Sequence, residues 1–144
     1  MSASTQRPLP VPTAETEHYW QAALEGRLEI QHCRACARHQ FYPRRFCTEC
    51  LSTESLEWTP SSGRGLIYSF TVCHVAAHPA FESLLPYAVA MVELEEGVRL
   101  LAGIVDSPLD GLVIGARVAV CFERINEAIA LPMFRLLVLD DTTS

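Results

Sequence analysis

Cys33, Cys36, Cys47 and Cys50 form two Cys-x-x-Cys pairs. Two residues between cysteines let both sulfurs of one turn face a single tetrahedral metal. Zinc suits four thiolates because it is borderline soft and imposes no geometry of its own, and a closed four-sulfur shell leaves no position for a substrate. The ion is therefore expected to be structural. A segment of about two dozen residues buries too little apolar surface to fold unaided, whereas zinc contributes roughly 10–16 kcal/mol apparent in such peptides at neutral pH. An iron centre and a redox-active pair share the spacing. His32 and His39 flank the first pair, but four sulfurs already complete the shell, so both read as surface groups or as neighbours of the ligands. Cys73 and Cys121 have no cysteine nearby in sequence and read as small core residues.

The 144 residues, 49% of them hydrophobic, make one domain's worth of chain. The longest apolar runs, Tyr87–Val92 and Leu100–Val105, fall short of the roughly 18 residues of a membrane helix. No apolar stretch follows a positive start in MSASTQRPLPVP. The expectation is a cytoplasmic protein without structural disulfides. Net charge is −6, and all 11 bases are arginine. Arg27, Arg34, Arg38, Arg44 and Arg45 against Glu29 and Glu49 make residues 27–50 a basic island in an acidic chain.

Residues 1–12 are rich in Pro and Ser and read as a flexible arm. A helix is expected from Thr13, as its cap, to Gly26, as its stop, with Tyr19, Trp20, Ala23 and Leu24 on one apolar stripe. At about three turns it is marginal alone, so its Tyr and Trp must pack on this chain or on a neighbour. Residues 13–60 then form an N-terminal unit of helix and ribbon. After the polar connector SSGRG (61–65), five strands are predicted: Leu66–Val75, Tyr87–Leu94, Val98–Asp106, Arg117–Arg124 and Met133–Leu139. In the first, Leu66, Tyr68, Phe70 and Val72 should share the apolar face. Glu95-Glu96-Gly97 suits a tight hairpin, Asp110-Gly111 a reversal, and Pro79 and Pro86 bracket a longer loop. Five short strands with little helix between them make the five-stranded OB-fold barrel the expected architecture for 61–144, in a mainly β chain.

With these pieces in order, a helix, four ribbon cysteines, GRGLIYSFTV, PYAVAMVELEEGVRLLAGIVD, IGARVAVCFE and LPMFR, the chain resembles the zinc-ribbon plus OB-fold proteins of domain of unknown function thirty-five. The resemblance covers residues 13 to about 137. It implies a rubredoxin-like zinc ribbon and an accessory subunit tied to acyl-CoA metabolism, paired with thiolase-like condensing enzymes, with retro-aldol lyases of sterol side-chain breakdown, or with hydratases. Ala37, Thr48 and Leu51 depart from the family's Gly, Pro and Gly. Glycine eases the positive backbone angle that presents N–H groups to sulfur, so the tightness of the two knuckles is at stake there.

Three function classes compete. A single-stranded nucleic-acid-binding barrel needs a cationic groove, yet residues 65–144 hold four Arg against ten acids, and Tyr68, Phe70 and Phe122 fall on apolar strand faces. An autonomous acyl-CoA enzyme would draw on His74, His78 and Glu82 around the Pro-rich loop, but their spacing does not bring base, orienter and oxyanion donor together. The third class, a non-catalytic partner subunit in a hetero-oligomer, is preferred, with a thiolase-fold enzyme as partner and an enoyl-CoA hydratase complex as the alternative. In that reading Tyr19, Trp20, Phe41, Tyr42 and Phe46 are the aromatic anchors for the partner. Arg44, Arg45, His78, Pro79, Phe81 and Tyr87 contact acyl-CoA or line its channel, guanidinium forks being matched to phosphate.

Overall fold

In the computed structural model, which describes residues 9–76 and 79–137, the closure of a β-barrel turns on Gly63 and Gly65. Gly65 pairs with Leu94 on one side and Val118 on the other. A Cβ there would collide with the Glu93 carbonyl oxygen. Gly63 has a positive φ of 76° and its oxygen accepts from the Val120 amide at 2.7 Å. The residues read as a polar connector therefore already belong to the barrel, and strand β4 runs from Arg64 to Cys73. Ser61 and Ser62 are held by the Glu96 and Glu95 carboxylates of the hairpin opposite.

The remaining barrel strands are β5 (Tyr87–Leu94), β6 (Arg99–Ile104), β7 (Arg117–Arg124) and β8 (Ala130–Leu136), closed in the order β4-β5-β6-β8-β7. This is the expected five-stranded barrel. Most pairs are antiparallel, and β6 meets β8 in parallel through the single bridge Ile104–Phe134. Strand β8 begins three residues before the predicted Met133, because Asn126 caps the preceding turn with its side chain and Ala130 pairs with Arg124. Residues 138–139 of the expected strand lie outside the described residues. Gly97, at φ 94°, makes the tight hairpin between β5 and β6, and Leu109–Gly111 forms a short 3-10 turn at the second reversal.

The predicted face of the first barrel strand needs a correction. Ile67 is buried while Leu66 and Tyr68 are 44% and 48% exposed, and Phe70 and Val72 return to the inner side. A register shift between Ile67 and Ser69 inserts one extra residue, and a bulge of this kind flips the alternation with period two. Tyr68 instead lies under the Arg99 guanidinium, 3.8 Å from its ring centre. Cys73 and Cys121 are only partly buried rather than in the core, and burial raises the Cys121 thiol pKa.

Upstream, helix α1 spans Glu17–Leu24, shorter than expected. The amide of Thr13 donates to Thr16 Oγ1, and the Thr16 amide donates to the Thr13 carbonyl, so a separate turn closes before the first helical bond. Gly26, at φ 80°, ends the helix as predicted. Of the 1–12 arm, residues 9–12 carry no regular structure. Strands β1 (Glu29–Cys33), β2 (Arg38–Gln40) and β3 (Leu56–Pro60) make a separate antiparallel sheet in the order β2-β1-β3. Tyr19, Leu28 and Ile30 from this N-terminal unit join the same buried cluster as Ile67, Val92, Val118 and Phe134. No described helix is long and apolar enough to cross a membrane.

Candidate metal centre and apolar grooves

The sheet delivers Cys33 at the end of β1, and the turn into β2 delivers Cys36; a second turn carries Cys47 and Cys50. Their four sulfurs lie within 4.8 Å of one another. Cys33 Sγ and Cys50 Sγ are 3.6 Å apart, as are Cys36 Sγ and Cys47 Sγ. A bonded disulfide requires about 2.05 Å, whereas four sulfurs at about 2.3 Å from one zinc stand roughly 3.8 Å apart at the tetrahedral angle. The donors thus fit a zinc ion in number, type and spacing. Zinc would be held by all four thiolates, as a structural clamp.

The knuckles show the positive backbone angle at work. The Ala37 amide donates to the Cys33 carbonyl at 2.7 Å, and the Leu51 amide to the Cys47 carbonyl at 2.9 Å. Making these bonds puts Ala37 at φ 63° and Leu51 at φ 66°, the left-handed region that costs a residue with a Cβ about 1–2 kcal/mol. The amides of Glu49 and Cys50 both reach Cys47 Sγ at 3.4 Å. Their donation, that of Cys50 first, pulls the Cys47 thiol down to about 6. Burial, reinforced by the neighbouring thiols, pushes Cys36 up to about 12. Exchanging Leu51, 67% exposed, or Ala37 for glycine is expected to stabilise the ribbon by up to about 1 kcal/mol, after the entropy that glycine gives back. The chelator concentration for half-release of metal should rise accordingly.

The flanking residues divide. Tyr19 is buried against Phe41, ring centres 5.3 Å apart, so it packs inside this chain. Tyr19 also reaches the wall of a largely apolar hollow of about 270 Å³, which Trp20, Phe41 and Tyr42 line with Leu101 and Pro132. Tyr42 is half exposed, and its hydroxyl accepts from the Leu101 amide at 3.5 Å, tying ribbon to barrel. Phe46 stands exposed outside this hollow. Arg44 and Arg45 are exposed; the Gln31 side chain bonds both the amide and the carbonyl of Arg44, and Arg45 Nε lies 3.6 Å from Glu15.

On the barrel, Phe81 and Tyr87 line a second groove of about 560 Å³ with Leu84, Val89, Gly103 and Met133, and Asp106 and Glu123 also border it. Leu131 is shared by both hollows. Pro79 opens the 3-10 turn Pro79–Leu84 above this groove's Phe81. His78 lies outside the described residues; His74 and Glu82 are exposed. Neither hollow was legible beforehand, since each is assembled from segments distant in sequence; strand β3, whose LEWTP alternation was a usable signal, was also missed.

Comparison with known proteins places this architecture. Residues 20–57 match the family described as ChsH2, rubredoxin-like zinc ribbon domain, and residues 58–123 that described as ChsH2, C-terminal OB-fold domain. A "DUF35 domain-containing scaffold protein" of Methanothermobacter thermautotrophicus is 38% identical over 114 residues, 78% of this chain and 85% of that protein. A protein of Thermomonospora curvata named "Probable enoyl-CoA hydratase alpha subunit" is 37% identical over 131 residues, 90% of this chain; the chain spans only 40% of that relative's length. Among solved structures, one described as "Ltp2-ChsH2(DUF35) aldolase" superposes with a TM-score of 0.81 at 35% identity, covering 90% of this chain and all of that one. By ribbon, barrel and sequence alike, the chain belongs to the DUF35 family of ChsH2-type zinc-ribbon and OB-fold proteins.

Proposed function

We propose that the chain is a non-catalytic accessory subunit that binds or shapes the acyl-CoA site of a thiolase-fold partner enzyme, one that makes or breaks a carbon–carbon bond. The observation that carries this reading is the pair of apolar hollows meeting at Leu131. Aromatic side chains half in and half out of a groove are what interfaces use as anchors, and Trp20 and Tyr42 have that exposure on one hollow. The other hollow, under Phe81 and Tyr87, has the size and apolar lining for an acyl group. Arg44, whose backbone Gln31 holds, and Arg45, which faces Glu15, are the phosphate contacts. The relatives support an enzyme-associated role: one is named a scaffold protein, and the solved neighbour is described as an aldolase containing a DUF35 chain.

A hydratase complex is the second reading, favoured by the name of the Thermomonospora curvata relative. Nucleic acid is disfavoured because Asp106 and Glu123, both acidic, border the barrel groove.

The test is reconstitution with a thiolase-fold enzyme and, separately, with a hydratase subunit from the same genome. A stable complex with the first is expected. Trp20→Ala with Tyr42→Ala should weaken it by about 2 kcal/mol or more, and acyl-CoA should raise the Tm of the complex in proportion to log concentration. A chain that stays apart from both enzymes overturns the subunit role. A complex whose melting ignores acyl-CoA overturns the ligand role.

A further inference from the structure

The ribbon sheet sets three polar side chains in one cross-strand row. His32 sits on the central strand β1, with His39 its register partner on β2 and Glu57 its register partner on β3. Direct cross-strand partners share a face. His32 Nδ1 lies 3.0 Å from Glu57 Oε2. An ionised carboxylate only accepts, so in the neutral imidazole that faces it the Nδ1 is the donor and Nε2 is the nitrogen with a lone pair. The two ring nitrogens face outward on nearly opposite sides, so Nε2 faces away from Glu57, and β2, which carries His39, flanks β1 on the side opposite β3. There the His39 ring stands, its centre 4.7 Å from that of His32 and its plane tilted by 53°. Two imidazoles that bind one ion at about 2.1 Å place their ring centres roughly 5 Å apart.

We propose that His32 and His39 form a second metal site, a two-imidazole site for a divalent transition ion, with Glu57 as the positioning residue. The site differs in kind from the four-sulfur cluster. Its nitrogen donors suit nickel, copper or zinc, and two ligands leave positions open to water or to a group from another polypeptide. Carboxylate–histidine–metal relays of this form fix the ring and raise its basicity. Arg34 Nε also approaches Glu57, at 3.7 Å from the other carboxylate oxygen, so the carboxylate bridges a guanidinium and the imidazole. The side chains of His32 and Glu57 are 23% and 41% exposed, which leaves the row open to an incoming ion.

The experiment is equilibrium dialysis of the untagged, zinc-loaded full chain against Ni2+, counting both metals per chain, alongside NMR of the histidine rings. One retained zinc plus one saturable nickel are expected, with paramagnetic broadening centred on His32 and His39. His39→Ala should abolish nickel uptake while the zinc and the ribbon's amide signals stay. Glu57→Gln should weaken uptake about tenfold or more, and His74→Ala, which removes an exposed imidazole elsewhere, should change nothing. Nickel uptake that survives His39→Ala, that expels the zinc, or that broadens all five histidines alike overturns the proposal.

Discussion

Removing the ribbon metal, by chelation or by Cys33→Ser, is expected to unfold residues 29–60 while leaving strands β4–β8 paired. Cys33 is fully buried at the end of β1, and the three-stranded sheet it terminates has few buried apolar side chains of its own beside Ile30. The clamp therefore supplies most of the ribbon's folding free energy, on the order of 10–16 kcal/mol apparent at neutral pH. Amide exchange resolved by residue is the measurement. Fast exchange confined to the ribbon, with loss of one metal per chain, is the expected pattern. A moderate fall in barrel stability should accompany it, because Tyr19, Leu28 and Ile30 would no longer cover the shared core. A metal-free chain whose β1–β3 amides remain protected would show that packing, not metal, holds the ribbon.

The second large effect lies in the barrel. Phe134 is fully buried, the largest of the wholly enclosed side chains, and sits where the barrel closes between β6 and β8. It pairs with Val120 on one side and bridges Ile104 on the other, and its carbonyl accepts from the Val105 amide at 2.9 Å. Phe134→Ala should cost about 3–5 kcal/mol through lost burial and the cavity left behind, lowering Tm by roughly 10–20 °C. Tyr68→Ala, on the outer face of the same barrel, should cost about 1 kcal/mol or less. Equal losses at the two positions would contradict the inside-outside assignment around the β4 bulge.

How far the chain could be read in advance follows the range of the interactions involved. The clustering of the four cysteines, the helix stop at Gly26, the hairpin at Gly97 and the order of five strands depend on local spacing and turn chemistry, and all were legible. So was the demand for an unusual backbone angle at Ala37 and Leu51, since the resemblance implies glycine at those positions. The outward turn of Leu66 and Tyr68 was not, because a bulge is set by the partner strand's register rather than by the alternation itself. Likewise the hollow beside Tyr42 needs Pro132 and Leu101 brought to the ribbon, a placement that no periodicity encodes. The burial of Tyr19 within its own chain belongs to the same category: the helix stripe announced an apolar face without saying whose surface would receive it.

The hydrogen bond from the Leu101 amide to the Tyr42 hydroxyl has an architectural consequence. The recess beside it has walls contributed by both halves of the chain, so it is a joint owned by neither. A barrel produced on its own would carry only its own wall of this recess, and grafting a different ribbon onto the barrel would mean recutting the opposite wall as well.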